Sequence, residues 1–168
     1  MITNLFKSTD LSKLGKMFLF AVLLSNMAFS QNTGFGSLAS DRTEPIEFNS
    51  DRLIFNQESN LAELFDGVKI IRGKTVLSAD YVKATYSTAN KLEKVFAERN
   101  VELKSDQDIA RADTAIYSLT ENSISLTGNA QLLQGANNIM ADQILINTET
   151  GLTQLLGSVK TVISSGTN

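Results

Sequence analysis

Between residues 44 and 163 apolar and polar side chains alternate with a period of two, the pattern of half-buried strands. A small residue followed by Asp punctuates that alternation at Ser50-Asp51, Ala79-Asp80, Ala112-Asp113 and Ala141-Asp142, with separations of 29, 33 and 29 residues. Apolar residues recur at fixed offsets from each Asp. Three before it stand Phe48, Leu77, Ala110 and Ile139; two after it Leu53, Val82, Ala115 and Ile144; four after it Phe55, Ala84, Tyr117 and Ile146. The apolar side thus lies on odd offsets before the Asp and on even offsets after it. Such a change of parity sends side chains to the opposite face unless the strand turns a corner there. A corner is predicted at each Asp, with the small residue on its inside and the carboxylate bonding its own neighbouring backbone.

A second landmark pairs a turn residue with a small apolar one, at Gly67-Val68, Asn100-Val101, Asn129-Ala130 and Ser158-Val159. From each of the first three apolar members the next Asp follows after 12 positions. One supersecondary unit is therefore used about four times. Parity does not change at this landmark: Leu64, Ala97, Leu126 and Leu155 lie four before it, and Ile70, Leu103, Leu132 and Thr161 two after it. The expectation is a simple chain reversal there. The long interval puts its extra residues near Ser87-Thr88-Ala89-Asn90, a longer turn. Helix signals are almost absent after residue 30, and Asn90 to Asn100, helical by composition, fits the repeat better as a strand. The fold class expected is all-β, an open stack of antiparallel hairpins, each with a corner, that makes a curved, V-shaped or jelly-roll-like sheet pair whose inner sides form one apolar lining. Its end strands, Ile46–Asn49 and Val159–Ile163, carry little proline or charge to block further pairing, so Ile46, Phe48, Val159 and Thr161 are the candidate partner edges.

Composition narrows the chemistry. The 168 residues contain no Cys, His or Trp and one Pro. Imidazole acid–base catalysis, Cys or His metal sites and disulfides are thereby excluded. The first thirty residues read as a signal peptide: Lys7, Lys13 and Lys16 precede an apolar run from Met17 to Leu24, with Ala28, Phe29 and Ser30 before the expected cleavage. That run is short for a membrane span, and an uncleaved anchor is the rival reading. Removing the segment takes the formal charge from −3 to −5, a poor balance for nucleic-acid binding. An exported chain without cysteine suits the bacterial periplasm. Residues 31–43 read as a flexible leader, 44–163 as the β-domain and 164–168 as a flexible tail.

The four Asp residues invite comparison with glycosidase carboxylates, but equivalent positions on successive rungs suit a recurring corner better than one active site. Gly73-Lys74-Thr75 lacks the upstream glycine of a phosphate loop, position 68 being Val, and a strand follows it. Asp106-x-Asp108 lacks the glycine and distal Glu of a calcium loop. Lys69, Arg72 and Lys74 form a small basic cluster at a hairpin end, either a solvated turn or a contact for a lipid phosphate. No catalytic residue, metal ligand or cofactor is assigned.

The ordered set Pro45-Ile46-Glu47-Phe48-Asn49-Ser50-Asp51, Gly67-Val68-Lys69-Ile70, Ala79-Asp80-Tyr81-Val82, Leu126-Thr127-Gly128-Asn129-Ala130 and Ala141-Asp142-Gln143-Ile144 resembles the OstA-like, LptA-type lipopolysaccharide-transport proteins of the Gram-negative periplasm. The likeness spans about residues 44 to 163; Arg99-Asn100, where the family often has Gly-Asn, and Gly157-Ser158 are its departures. It implies a non-enzymatic β-jellyroll that holds the acyl chains of lipopolysaccharide in its groove. It also implies end-to-end strand pairing with an inner-membrane-anchored jellyroll partner and with an outer-membrane translocon, and the head-to-tail geometry of such pairing can extend to further copies of itself. The repeated offsets then nominate as lipid-binding lining Ile46, Phe48, Phe55, Leu64, Ile70, Val82, Leu103, Tyr117, Leu119, Leu126, Leu132 and Ile144. Two alternatives stay open: an anchored relative of the same machinery that keeps its N-terminal helix, and a periplasmic β-scaffold with a dry core that binds only proteins.

Overall fold

The structure, a computed structural model, describes residues 35 to 162. The expected signal peptide and tail lie outside the described residues. Inside the expected leader, Ser37–Asp41 forms a short helix, α1. Ten strands follow: β1 (Ile46–Asn49), β2 (Arg52–Asn56), β3 (Leu61–Arg72), β4 (Thr75–Tyr86), β5 (Leu92–Ser105), β6 (Asp108–Ser118), β7 (Ser123–Gln134), β8 (Asn137–Asn147), β9 (Thr153–Leu156) and β10 (Lys160–Val162). They make one antiparallel sheet in which β3 to β8 meander between neighbours. At one end β1 and β2 pair with successive stretches of β3, and at the other β10 and β9 pair with successive stretches of β8. The sheet is thus a ladder of eight rungs, its end rungs each broken in two.

Every rung bends in the middle. On β4 the buried positions run Thr75, Leu77, Ala79 and then Val82, Ala84, so parity changes at Asp80 as the offsets predict. The second landmark is a correction to the sequence reading. Gly67, Asn100 and Asn129 do not reverse the chain; β3, β5 and β7 continue through them. Two consecutive residues there adopt left-handed backbone: Asp66-Gly67, Arg99-Asn100 and Gly128-Asn129. Pairing slips across each of them, between Phe65 and Val68, Glu98 and Val101, and Thr127 and Ala130. The bulge adds one residue, and that extra residue hides the parity change that marks the corner on the neighbouring rung. The reversals occur elsewhere, at Gly73-Lys74, Asp106-Gln107 and Gly135-Ala136 on one side and at residues 57–60, 87–91, 119–122 and 148–152 on the other.

Corner and bulge lock together. Rather than bonding its own backbone, the Asp reaches across to the bulge on the next rung. Asn100 Nδ2 donates to Asp80 Oδ2 at 2.7 Å and Asn129 Nδ2 to Asp113 Oδ2 at 2.9 Å. Ser158 donates its backbone N–H to Asp142 Oδ2 at 3.0 Å, and at the first corner the Asp51 N–H donates to the Asp66 carbonyl at 3.1 Å. Glycine is required where the carboxylate crowds the bulge: at Gly128, φ is +82° and a Cβ would stand 2.5 Å from Asp113 Oδ2, and Gly157 is crowded by Asp142 in the same way.

The bend divides the sheet into two arms. One holds β1, β10 and the halves of the long strands next to the two-residue turns; the other holds β2, β9 and the halves next to the longer loops. Their inner faces meet in one core. Val68, Ile70, Leu77, Val101, Leu103 and Leu132 come from the first arm, and Leu64, Val82, Val95, Leu126, Ile144 and Ile146 from the second. Outside the bend, side chains stack across rungs. The Arg52 guanidinium lies 3.8 Å above the Phe65 ring, Phe65 and Tyr81 have centroids 5.2 Å apart, and Arg99 sits 5.6 Å over Tyr81. The Tyr81 hydroxyl donates to Glu63 Oε1 at 2.6 Å. Burial, then this bond and the negative charge of Glu63 and Glu98, push its pKa up to about 12, with Arg99 opposing.

Two expectations follow from the corners and the outer stack. Gly128→Ala should destabilise the protein by more than Gly135→Ala in urea denaturation. Both positions are left-handed, at a cost of about 1–2 kcal/mol for a side chain, but an added Cβ meets nothing within 4 Å at Gly135. In ultraviolet titration Tyr81 should ionise well above pH 10, near 12. Its folded pKa lies above the value of 10 for an unperturbed tyrosine, so the folded chain keeps a proton that the unfolded chain loses. This contribution is complete below pH 10 and is lost as pH rises from 10 to about 12, and Glu63→Gln should make that decline shallower.

Candidate functional site

The trough between the arms is the candidate site. Of its nominated lining, Leu64, Ile70, Val82, Leu103, Leu126, Leu132 and Ile144 are buried in the common core, with Ile46, Phe48 and Tyr117 packed partly against it. Phe55 and Leu119 stand apart. Leu119 is half-buried in the turn after β6, where its N–H donates to the Glu93 carbonyl at 2.9 Å. Phe55 is 48% exposed and meets Tyr86 edge to face with centroids 6.3 Å apart. Burial raises the Tyr86 pKa.

Phe55 is exposed because its rung is the last. It pairs with the buried Ala62 and Leu53 with the buried Leu64, and directly paired residues share a face of a sheet. Leu53 and Phe55 thus continue the inner lining, and the next rung that would cover them is missing. The other end is alike: Leu155 pairs with Ile144 and Thr161 with Ile139, and both are less buried than the residues in the middle. The apolar lining therefore runs from one end of the ladder to the other and meets solvent at both. Among the described residues nothing pairs with the outer edges of β1, β2, β9 and β10. Of the nominated edge residues, Ile46 and Phe48 lie on β1 and Thr161 on β10, with Val159 just before it and 50% exposed.

Sequence reasoning missed the rim of the trough. Phe35 and Leu38 are buried in the same core as the rungs, although they lie in the stretch read as a flexible leader. No periodicity marks them, because Phe35 precedes α1 in left-handed backbone and five residues of helix are too few for a period to show. The basic cluster is dispersed. Arg72 turns inward from β3, donates to Tyr117 Oη at 2.7 Å across the trough and to the Glu44 carbonyl at 3.2 Å, and also meets the Arg42 carbonyl. Lys74 faces Asp106 at 3.4 Å in an exposed ion pair, and only Lys69 remains a plain solvated charge. The four corner Asp residues sit on separate rungs, three of them bonded to the neighbouring bulge, so they do not converge on a reacting atom.

The interior is densely filled. Its cavity, lined by Leu38, Ile46, Ile70, Leu77, Leu103, Tyr117 and Ile124 among others, holds about 30 Å³, room for a water or two. What the geometry offers is a continuous apolar interior, open-ended, with unpaired strands at both ends.

Comparison with known proteins agrees with this geometry. The chain resembles an uncharacterized protein of Rhizobium meliloti (strain 1021), 26% identical over 146 residues that cover 80% of this chain and 78% of the relative. Among solved structures it matches LptH, described as the LptA homologous periplasmic component of the conserved lipopolysaccharide transport device from Pseudomonas aeruginosa. The TM-score is 0.63 at 21% identity, over 75% of this chain and 99% of that one, a likeness of fold. The family model "LptA/(LptD N-terminal domain) LPS transport protein" matches residues 47–152, from β1 to the loop before β9. The chain therefore belongs to the LptA/LptD N-terminal family of lipopolysaccharide-transport proteins, a family of carriers rather than enzymes.

Proposed function

We propose that this chain is a periplasmic bridge protein that carries lipopolysaccharide between the inner and outer membranes, with the lipid A acyl chains held between its two arms. The observation that carries this reading is the apolar lining that reaches both ends of the ladder, with Leu53 and Phe55 left 56% and 48% exposed at one of them. Each methylene kept from water is worth about 0.8 kcal/mol, so a chain of about a dozen carbons crossing bare would be penalised by roughly 10 kcal/mol. Near-identical rungs offer a lipid near-identical positions, so it can be pushed along without a deep trap. The free edges of β1 and β10 accept further strands, and head-to-tail pairing of this kind is heterologous and propagates instead of closing. The partners that suit them are an inner-membrane-anchored jellyroll, an outer-membrane translocon and other copies of this chain. Residues 1–30 act as a cleaved signal peptide in this reading, and residues 44–163 form the carrier domain.

The filled interior favours a second reading, a scaffold with a dry core whose edges bind only proteins. Photo-crosslinking in cells separates the two. A photoreactive side chain replacing Phe48 or Tyr117 should capture lipopolysaccharide, and one replacing the exposed Lys104 should not. Capture of proteins alone from Phe48 and Tyr117 would favour the scaffold and overturn lipid carriage.

A further inference from the structure

Two side chains of the common core come from outside the repeat. Phe35 and Leu38 are 1% and 7% exposed and pack among residues of both arms. The segment that carries them is tied to the turns of the first arm. Asp41 Oδ2 accepts from the N–H of Lys74 at 3.0 Å, from the N–H of Thr75 at 3.1 Å and from the Thr75 hydroxyl at 2.9 Å. The Ser37 hydroxyl meets that of Ser105, which lies 2.9 Å from Thr75 Oγ1, and Phe35 donates its N–H to Asp108 Oδ2 at 2.9 Å. The same segment touches the loops of the second arm. Arg42 pairs with Glu149 at 2.8 Å, and Gly151 lies so near that a Cβ on it would stand 2.9 Å from Gly36 Cα. Residues 35–44 therefore cross the mouth of the trough opposite the corners, and Arg72 grips their carbonyls from inside.

This crossing is built to release. A helix of five residues does not hold itself together and its ion pair is exposed, so the segment stays in place through two apolar side chains and the bonds of Phe35, Ser37, Asp41 and Arg72. Leu38 also roofs the small cavity between the arms, so its departure adds directly to the space there. We propose that residues 35–44 are a self-inhibitory strap: Phe35 and Leu38 fill the place that a hydrocarbon chain takes in the trough, and the trough loads when the strap lets go. The inference rests on the lipid-carrying function proposed above, and the experiment keeps the two apart.

The chain has no cysteine, so Ser37→Cys with Ser105→Cys can join the strap to β5 through a single new disulfide. The full-length variant, oxidised and then reduced, would be offered lipid A and read by native mass spectrometry. Closing the trough lowers the competent fraction, so the oxidised form should bind at least about tenfold less lipid A than the reduced form. The unsubstituted chain should be indifferent to reductant, and Asp41→Ala, which removes three bonds to residues 74 and 75, should load faster. Equal binding by the oxidised and reduced forms would overturn the strap and leave lipid carriage standing. Absence of binding in every form, Asp41→Ala included, would overturn both. Failure of the two thiols to join would contradict the closed geometry and overturn the strap alone.

Discussion

A strand that serves both walls of a sandwich must change the face its side chains serve halfway along, and everything else in this fold depends on how that is done. Along β4, β6 and β8 the change is made by one position, a small residue before Asp. Along β3, β5 and β7 it is made by a pair of left-handed residues that adds a residue to the strand. Neither device works alone, because a bend in one strand must be matched by its neighbours to keep the ladder paired. The Asp carboxylate couples them by bonding the Asn or Ser of the adjacent bulge. Eight rungs then bend in step, and their inner faces close on a single core.

This coupling explains what could be read from the sequence. The repeat, the strands and the Asp corners were legible because they leave a mark in the parity of apolar residues. The bulges were not, since an inserted residue restores parity and makes Leu64, Val68 and Ile70 look like an undisturbed run interrupted by a turn at Gly67. A Gly or Asn in left-handed backbone serves a hairpin and a bulge equally well, and only pairing across strands tells them apart. Phe35, Leu38 and Asp41 were invisible for a different reason: they fall outside the repeat, and nothing local distinguishes them from a polar leader. Arg72 carried a misleading signal, since a charge beside Lys69 and Lys74 reads as solvated until the fold brings Tyr117 opposite it.

The trough likewise divides into what the repeat specifies and what it does not. Repetition places an apolar residue, most often Leu, Ile, Val or Ala, at equivalent inward positions on successive rungs, which makes the interior similar along its length. It does not specify how far apart the arms stand. Contacts that no repeated offset predicts also bridge the arms, namely the Arg72–Tyr117 bond and the packing of Phe35 and Leu38 at the mouth.

The meander also sets where the molecule yields first. Each inner rung is bonded on both sides, whereas β1, β2, β9 and β10 are held by one neighbour each and are broken in two. Local opening takes least free energy at such margins, so in an isolated molecule the terminal rungs should fray long before the centre. A docked strand would turn a fraying margin into an interior one, so assembly and the ordering of the terminal rungs become a single event.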